Sequence, residues 1–83
     1  MNWKYRIRIK YLFTEKEDWE SIQTSMTQIG NILERTPCFV GFINIGRFKR
    51  IPYGDEFMQP IDYANKLLEE MYVYADANRI WIE

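Results

Sequence analysis

The first stretch of the chain alternates between apolar and charged residues. From position 3 to position 13, every odd position holds an aromatic or aliphatic residue, and every even position from 4 to 10 holds a lysine or an arginine. A period of two predicts a β-strand with one face in the core and the other in solvent. The solvent face of this strand carries four cations: Lys4, Arg6, Arg8 and Lys10.

The residues that follow change to a helical period. Thr14 and Glu17 are spaced as the two members of a capping box, which predicts a helix with Thr14 as its N-cap and an end near Arg35. The apolar residues at positions 19, 22, 26, 29 and 33 form one stripe, as in a helix that packs one face on a core. Pro37 ends the helix, because the residue before a proline avoids the helical conformation.

The middle of the chain is rich in β-forming residues. Residues 38–45 are almost continuously apolar, which predicts a strand covered on both faces. Residues 47–53 either form a further strand in a hairpin or extend the first strand as far as Ile51, and the sequence leaves both alternatives open. Pro52 favours the edge or the end of a sheet for this stretch.

A second helix and a last strand complete the pattern. Pro60 suits the first position of a helix, and the apolar residues at positions 61, 64, 68, 71 and 75 form a second stripe. Asn78 is a candidate for a left-handed cap at the helix end. Residues 79–83 predict a short final strand.

Together these elements predict one α+β domain over residues 1–83, in the order β-α-β-(β)-α-β. We expect a small antiparallel sheet with two helices on one face. If the middle stretch is a hairpin, the plan is the split βαβ of ferredoxin-like domains. A three-stranded sheet without the hairpin is the alternative.

Composition narrows the function classes. The chain has no histidine, so it lacks the commonest general base and metal ligand, and it has a single cysteine, Cys38. Neighbouring carboxylates such as Glu69 and Glu70 would point about 100° apart on a helix and could not face each other across a substrate. We therefore predict no enzymatic activity, no cofactor and no metal site. The charged start and the lack of a long apolar run predict a soluble, cytoplasmic protein.

Charge is segregated along the chain. The predicted helices are acidic and the predicted strands are basic, although the net charge is only −1. A second basic cluster lies at Arg47, Lys49 and Arg50, followed by an aromatic loop with Tyr53 and Phe57. In a ferredoxin-like sheet the third strand lies beside the first, which would merge the two basic groups into one patch. The candidate partner-binding residues are Lys4, Arg6, Arg8, Lys10, Arg47, Lys49, Arg50, Tyr53 and Phe57.

Two kinds of partner fit this pattern. Segregated charges with a net charge near zero favour a defined protein partner, and exposed aromatics beside arginines are typical of interface centres. A basic sheet face with interleaved rings would instead bind nucleic acid. The segregated charges would also suit a homodimer that packs helix face to sheet face. The remaining alternative is that the basic face contacts only solvent.

In kind, the chain resembles the small stand-alone proteins that phages and mobile elements make to block host machinery, anti-CRISPR proteins among them. The resemblance lies in size, charge segregation and the lack of a reactive constellation. It implies a protein inhibitor of a host complex that handles nucleic acid.

Overall fold

Two α-helices and two short strands form the frame of the fold, which we describe from a computed structural model. The structure describes residues 3–7, 9, 17–54 and 58–83. Strand β1 spans Tyr5–Ile7, helix α1 spans Trp19–Glu34, helix α2 spans Pro60–Ala77 and strand β2 spans Ile80–Ile82. Two 3₁₀ turns, Pro37–Phe39 and Ile45–Lys49, lie between the helices. The chain is therefore an α+β protein.

The two described strands are parallel, so the expected antiparallel sheet is wrong for this pair. Tyr5 lies beside Ile80, and Ile7 lies beside Ile82. The backbone N–H of Lys4 donates to the carbonyl of Arg79 at 2.6 Å. A hairpin between the helices would have reversed the chain direction once. Without that reversal, the last strand runs the same way as the first.

The alternation at the start of the chain is confirmed only in part, because Trp3 and Tyr5, which were predicted to face the core, are 38% and 40% exposed. Ile7 and Ile9 are buried, whereas Lys4 and Arg6 are exposed. The rest of the predicted first strand, residues 8 and 10–13, lies outside the described residues. The backbone of β1 therefore pairs with β2, and its side chain Ile7 packs in the core.

The middle of the chain is not a strand or a hairpin, and that prediction is corrected. Residues 37–39 and 45–49 form 3₁₀ turns. The side chains that point inward recur every third residue, and they are Phe39, Phe42, Ile45, Phe48 and Ile51. A 3₁₀ helix has three residues per turn, so positions three apart share one side. The β-forming residues of this stretch thus lie in turns, which place their large side chains against the helices.

Helix α1 begins four residues later than the capping-box pattern predicted. Its N-cap is Asp18, whose carboxylate accepts a hydrogen bond from the backbone N–H of Ser21 at 2.8 Å. That N–H, and then the Ser21 hydroxyl, hold the pKa of Asp18 below its ordinary value. Glu17 precedes the helix, and Thr14 lies outside the described residues. Both caps fit the local sequence, since aspartate and threonine are each favoured there.

Helix α2 begins at Pro60, as predicted. Its C-cap is Asn78, but Asn78 has a φ of −105°, and the left-handed residue is Arg79 with a φ of 58°. Asn78 instead donates from its side-chain amide to the carbonyl of Tyr74 at 2.8 Å. This bond satisfies a helix-end carbonyl, and the turn to β2 falls one residue later.

The core lies between the two helix stripes and the middle turns. Both predicted stripes are largely buried, and the fully buried side chains include Met26 and Leu33 of α1 and Met71 of α2. Phe39 and Phe42 complete this core, with ring centroids 5.2 and 5.1 Å from that of Tyr74. No helix in the described ranges combines the length and the apolar character needed to cross a membrane.

Candidate functional site

Side chains of α1 hold a stretch of the surface that begins within the second 3₁₀ turn and continues beyond it. We call residues 47–53 the clamped segment. The indole N–H of Trp19 donates to the carbonyl of Ile51 at 2.8 Å. Gln23 lies one turn further along α1 and binds the same stretch. The clamped segment therefore runs along α1, held by side chains of that helix.

Gln23 fixes the clamped segment with both ends of its amide. Its Nε2 donates to the carbonyl of Lys49 at 3.0 Å, and its Oε1 accepts from the N–H of Ile51 at 2.9 Å. An irregular backbone has no neighbouring strand or helix turn to satisfy these groups, so the side chain takes that role. Two bonds from one amide also set the position of the backbone more tightly than one bond would.

Gly30 lets the second 3₁₀ turn approach α1 closely. A Cβ built on Gly30 would lie 3.1 Å from the Cβ of Phe48, tighter than ordinary van der Waals contact. Phe48 itself is fully buried, and its ring centroid lies 6.1 Å from that of Phe42. The ring of Phe48 thus anchors the start of the clamped segment in the core.

The clamped segment presents two arginines and a tyrosine to solvent. Arg47 and Arg50 are exposed, and Tyr53 is 79% exposed, with its ring edge-on to that of Trp19 at 5.4 Å. We call Arg47, Arg50 and Tyr53 the Arg–Tyr strip. Lys49 behaves differently, because its ammonium group pairs with Glu34 at 2.8 Å. The second basic cluster predicted from the sequence is therefore split between solvent and an intramolecular ion pair.

The strand cations are likewise partly paired. Nη2 of Arg6 lies 2.6 Å from Oε1 of Glu83, the one acidic residue that the sequence places in a strand region. Lys4 is exposed on the same strand. Arg8 and Lys10 lie outside the described residues, as does Phe57. The expected merger of the two basic groups loses its basis, because β2 and not the clamped segment lies beside β1.

Sequence reasoning missed an apolar groove beside α2. Residues 41–44 form one wall and α2 forms the other, with Phe42, Val73, Tyr74 and Ala77 among the lining side chains. Ile43 is 91% exposed and Val73 is 64% exposed. The missed signal is the three-residue period, which points Ile43 away from the core while Phe42 points into it.

The described residues contain no group of three or more His, Cys, Asp or Glu side chains placed to hold a metal ion. Cys38 is partly buried in the first 3₁₀ turn, and its carbonyl accepts a hydrogen bond from the Tyr74 hydroxyl at 3.2 Å. The predicted place of Cys38 at a strand start is therefore wrong.

Comparison with protein-family models, with curated proteins and with solved structures finds no match to this chain.

The Gln23 amide gives a direct test of how the Arg–Tyr strip is held. Replacing Gln23 with leucine keeps the size of the side chain but removes both backbone bonds, and we expect a loss of about 1–3 kcal/mol in the free energy of unfolding. The Ile51 amide proton should also exchange faster, because its acceptor is gone. Urea denaturation and hydrogen exchange measure the two effects.

Gln28 provides the matched control, since it is exposed on the same helix. Gln28→Leu should leave both the stability and the exchange of Ile51 close to those of the parent protein. If Gln23→Leu behaved like Gln28→Leu, the clamped segment would not depend on α1 in the way described.

Proposed function

We propose that this chain is a non-enzymatic protein-binding module whose contact surface is centred on the Arg–Tyr strip. The observation that carries the proposal is that Arg47, Arg50 and Tyr53 are exposed on a backbone fixed by Trp19 and Gln23. Arginine and tyrosine are over-represented among the residues that dominate interface energies. A segment already fixed before binding loses less conformational entropy when a partner docks.

The partner that we propose is a host complex that handles nucleic acid, with this chain as its inhibitor. Such complexes carry basic surfaces for phosphate groups, and helix α2 exposes Asp62, Glu69 and Asp76, which would suit them. The Arg–Tyr strip would add an anchor of the opposite charge. A surface with both signs of charge selects one orientation of its partner.

Affinity capture from the lysate of the native host, with and without nuclease treatment, tests the proposal. We expect a discrete protein that stays bound after nuclease treatment and in moderate salt. Tyr53→Ala or Arg50→Ala should weaken that complex by about 30-fold or more, the effect of removing a residue central to an interface. Titration of the purified partner measures the change.

Tyr72→Ala is the control, because Tyr72 is an exposed tyrosine on α2, away from the clamped segment. Tyr53→Phe should keep most of the affinity, since the ring and its contact with Trp19 remain. A complex that survives Tyr53→Ala and Arg50→Ala unchanged would remove the Arg–Tyr strip from the interface.

Nucleic-acid binding by basic residues is the second candidate. It is favoured by the exposed side chains of Lys4, Arg47 and Arg50, with Tyr53 beside the two arginines. It is weakened by the pairing of Arg6 and Lys49 with carboxylates, which lowers the positive charge offered to phosphates. Capture of nucleic acid alone, with an affinity that falls steeply with salt, would favour this candidate over the protein-binding module.

A further inference from the structure

The apolar groove beside α2 does not include Tyr53 and has a different chemistry from the Arg–Tyr strip. Its most exposed large apolar side chain is Ile43, and Val73 stands on the opposite wall. Phe42, Tyr74 and Ala77 line the space between them. An aliphatic side chain exposed as fully as Ile43 gains free energy when a second surface removes it from water.

Ile43 also marks a border between charges of opposite sign. On one side it lines a shallow groove with Arg47, Lys49 and Arg50, opposite Tyr63 of α2. On the other side it lines the apolar groove with Glu69 and Glu70. Lys66 lies one helix turn before these two acids on the same wall. The surface beside Ile43 is therefore positive on the side of the second 3₁₀ turn and negative on the side of Glu69 and Glu70.

A surface with this arrangement is complementary to a copy of itself. When two copies pack with antiparallel α2 helices, the positive part of each lies on the negative part of the other. The apolar side chains at the border then meet at the centre, as in an isologous contact, in which the same patch is used twice.

We propose that the occupant of the apolar groove is a second copy of this chain, related by a two-fold axis that passes close to Ile43. Ile43 contacts its equivalent near the axis, and Lys66 of each copy lies against Glu69 of the other. Glu70 is held within its own chain by the side-chain amide of Asn44, so Glu69 is the acid available to the other copy. The contact does not use Tyr53, which stays open to a different partner, whereas Arg47 and Arg50 lie on the positive side of the contact.

The chain has enough surface for such a contact. A standard stable interface takes about 800 Å² from each partner. That area is about one seventh of the 5924 Å² that the chain exposes, so the dimer would not need to cover the strands or the N-terminal end of α1.

Sedimentation of the untagged full chain tests the proposal between about 1 μM and 500 μM, the range in which moderate interfaces dissociate. We expect a mass of twice the 10.2 kDa of the monomer at the upper end. Ile43→Glu should give a monomer throughout, with an unchanged circular dichroism spectrum. Tyr53→Glu is the control, because Tyr53 is similarly exposed and lies outside the contact, so this variant should remain a dimer.

Charge exchange tests the register of the contact. Glu69→Lys and Lys66→Glu should each weaken the dimer at least tenfold, and the double variant should restore most of the affinity, because the pair of opposite charges is rebuilt. Failure of the double variant to recover any affinity would overturn the placement of the axis.

A parent protein that stays monomeric at the highest concentration would overturn the dimer. If Ile43→Glu left the dimer affinity unchanged, the apolar groove would not be the contact between the two copies. If the parent protein is monomeric and a captured host protein is lost with Ile43→Glu, the groove belongs to that protein and not to a second copy. The proposed Arg–Tyr interface is tested separately, since Tyr53→Ala should weaken host binding by about 30-fold or more and leave the dimer intact.

Discussion

Replacing Phe48 with alanine is expected to lower the free energy of unfolding by about 3–5 kcal/mol, the largest loss of any single substitution proposed here. Phe48 is fully buried between Gly30 of α1 and the ring of Phe42. Truncation of a buried phenylalanine to alanine costs about 3–5 kcal/mol, from the lost apolar transfer and from the cavity that remains. A chain of 83 residues has a total stability of about 4–12 kcal/mol, so this one side chain decides much of it. Urea denaturation followed by circular dichroism measures the loss.

Two variants serve as controls for this effect. Phe48→Leu keeps most of the buried volume and should cost less than half as much as Phe48→Ala. Val40→Ala removes a side chain from the same turn region, but Val40 is 84% exposed, so its effect should stay within about 0.5 kcal/mol. Equal losses for Phe48→Ala and Val40→Ala would contradict the three-residue pattern of burial in the middle segment.

That middle segment shows why composition alone misled the sequence analysis. Residues 38–53 are rich in phenylalanine, isoleucine and valine, which are common in strands. Their order carries a second signal, because the residues that pack on the core recur every third position from Phe39 to Ile51, with Ile45 partly buried and the other four buried. A strand would have buried alternate positions. The period of three therefore indicates 3₁₀ turns and not a strand, and it also explains why Ile43 is on the surface.

The helices were predictable because their signals are local. Stripes with steps of three and four residues mark one face of a helix within a short window, and prolines mark the end of α1 and the start of α2. The exact start of α1 was not predictable, because Thr14 and Asp18 are both good caps. Asp18 places Trp19 in the first turn, from which its indole reaches the carbonyl of Ile51.

The relative direction of β1 and β2 could not be predicted from any short stretch of the sequence. Pairing of β1 with β2 joins the two ends of the chain, and its sense depends on how many reversals occur between them. The hairpin that was expected in the middle would have supplied one more reversal. An error in one element thus changed the predicted sheet from parallel to antiparallel.

Some residues of the candidate site could be identified from the sequence, and others could not. Arg47, Arg50 and Tyr53 were singled out by residue type, and the structure places all three on the surface, while their role in binding stays a prediction. The groove with Ile43 was missed, because the strand prediction placed that residue in a sheet. The clamp made by Gln23 was also missed, since a glutamine on a helix gives no pattern until its backbone partners are known.

Gly30→Leu is expected to separate the clamped segment from α1. A Cβ at position 30 already comes within 3.1 Å of Phe48, and the next nearest atoms are Cγ of Lys49 and the carbonyl oxygen of Ile45. A leucine side chain has no room there, so the turn must move outward. Overpacking of this kind costs about 1–3 kcal/mol or more, which outweighs the gain of about 1 kcal/mol from replacing a glycine inside a helix. Urea denaturation measures the net loss.

Gly46 is the matched glycine, because a Cβ built there meets nothing within 4 Å. Gly46→Leu should therefore change the free energy of unfolding by about 0.5 kcal/mol or less. Outward movement of the turn in Gly30→Leu should also lengthen the bonds from Gln23 to Lys49 and Ile51, so the Ile51 amide proton should exchange faster in that variant alone. If both leucine variants were equally stable with equal exchange, the close packing of the second 3₁₀ turn on α1 would be wrong. The Arg–Tyr strip would then lose the rigid backing on which its proposed role in binding depends.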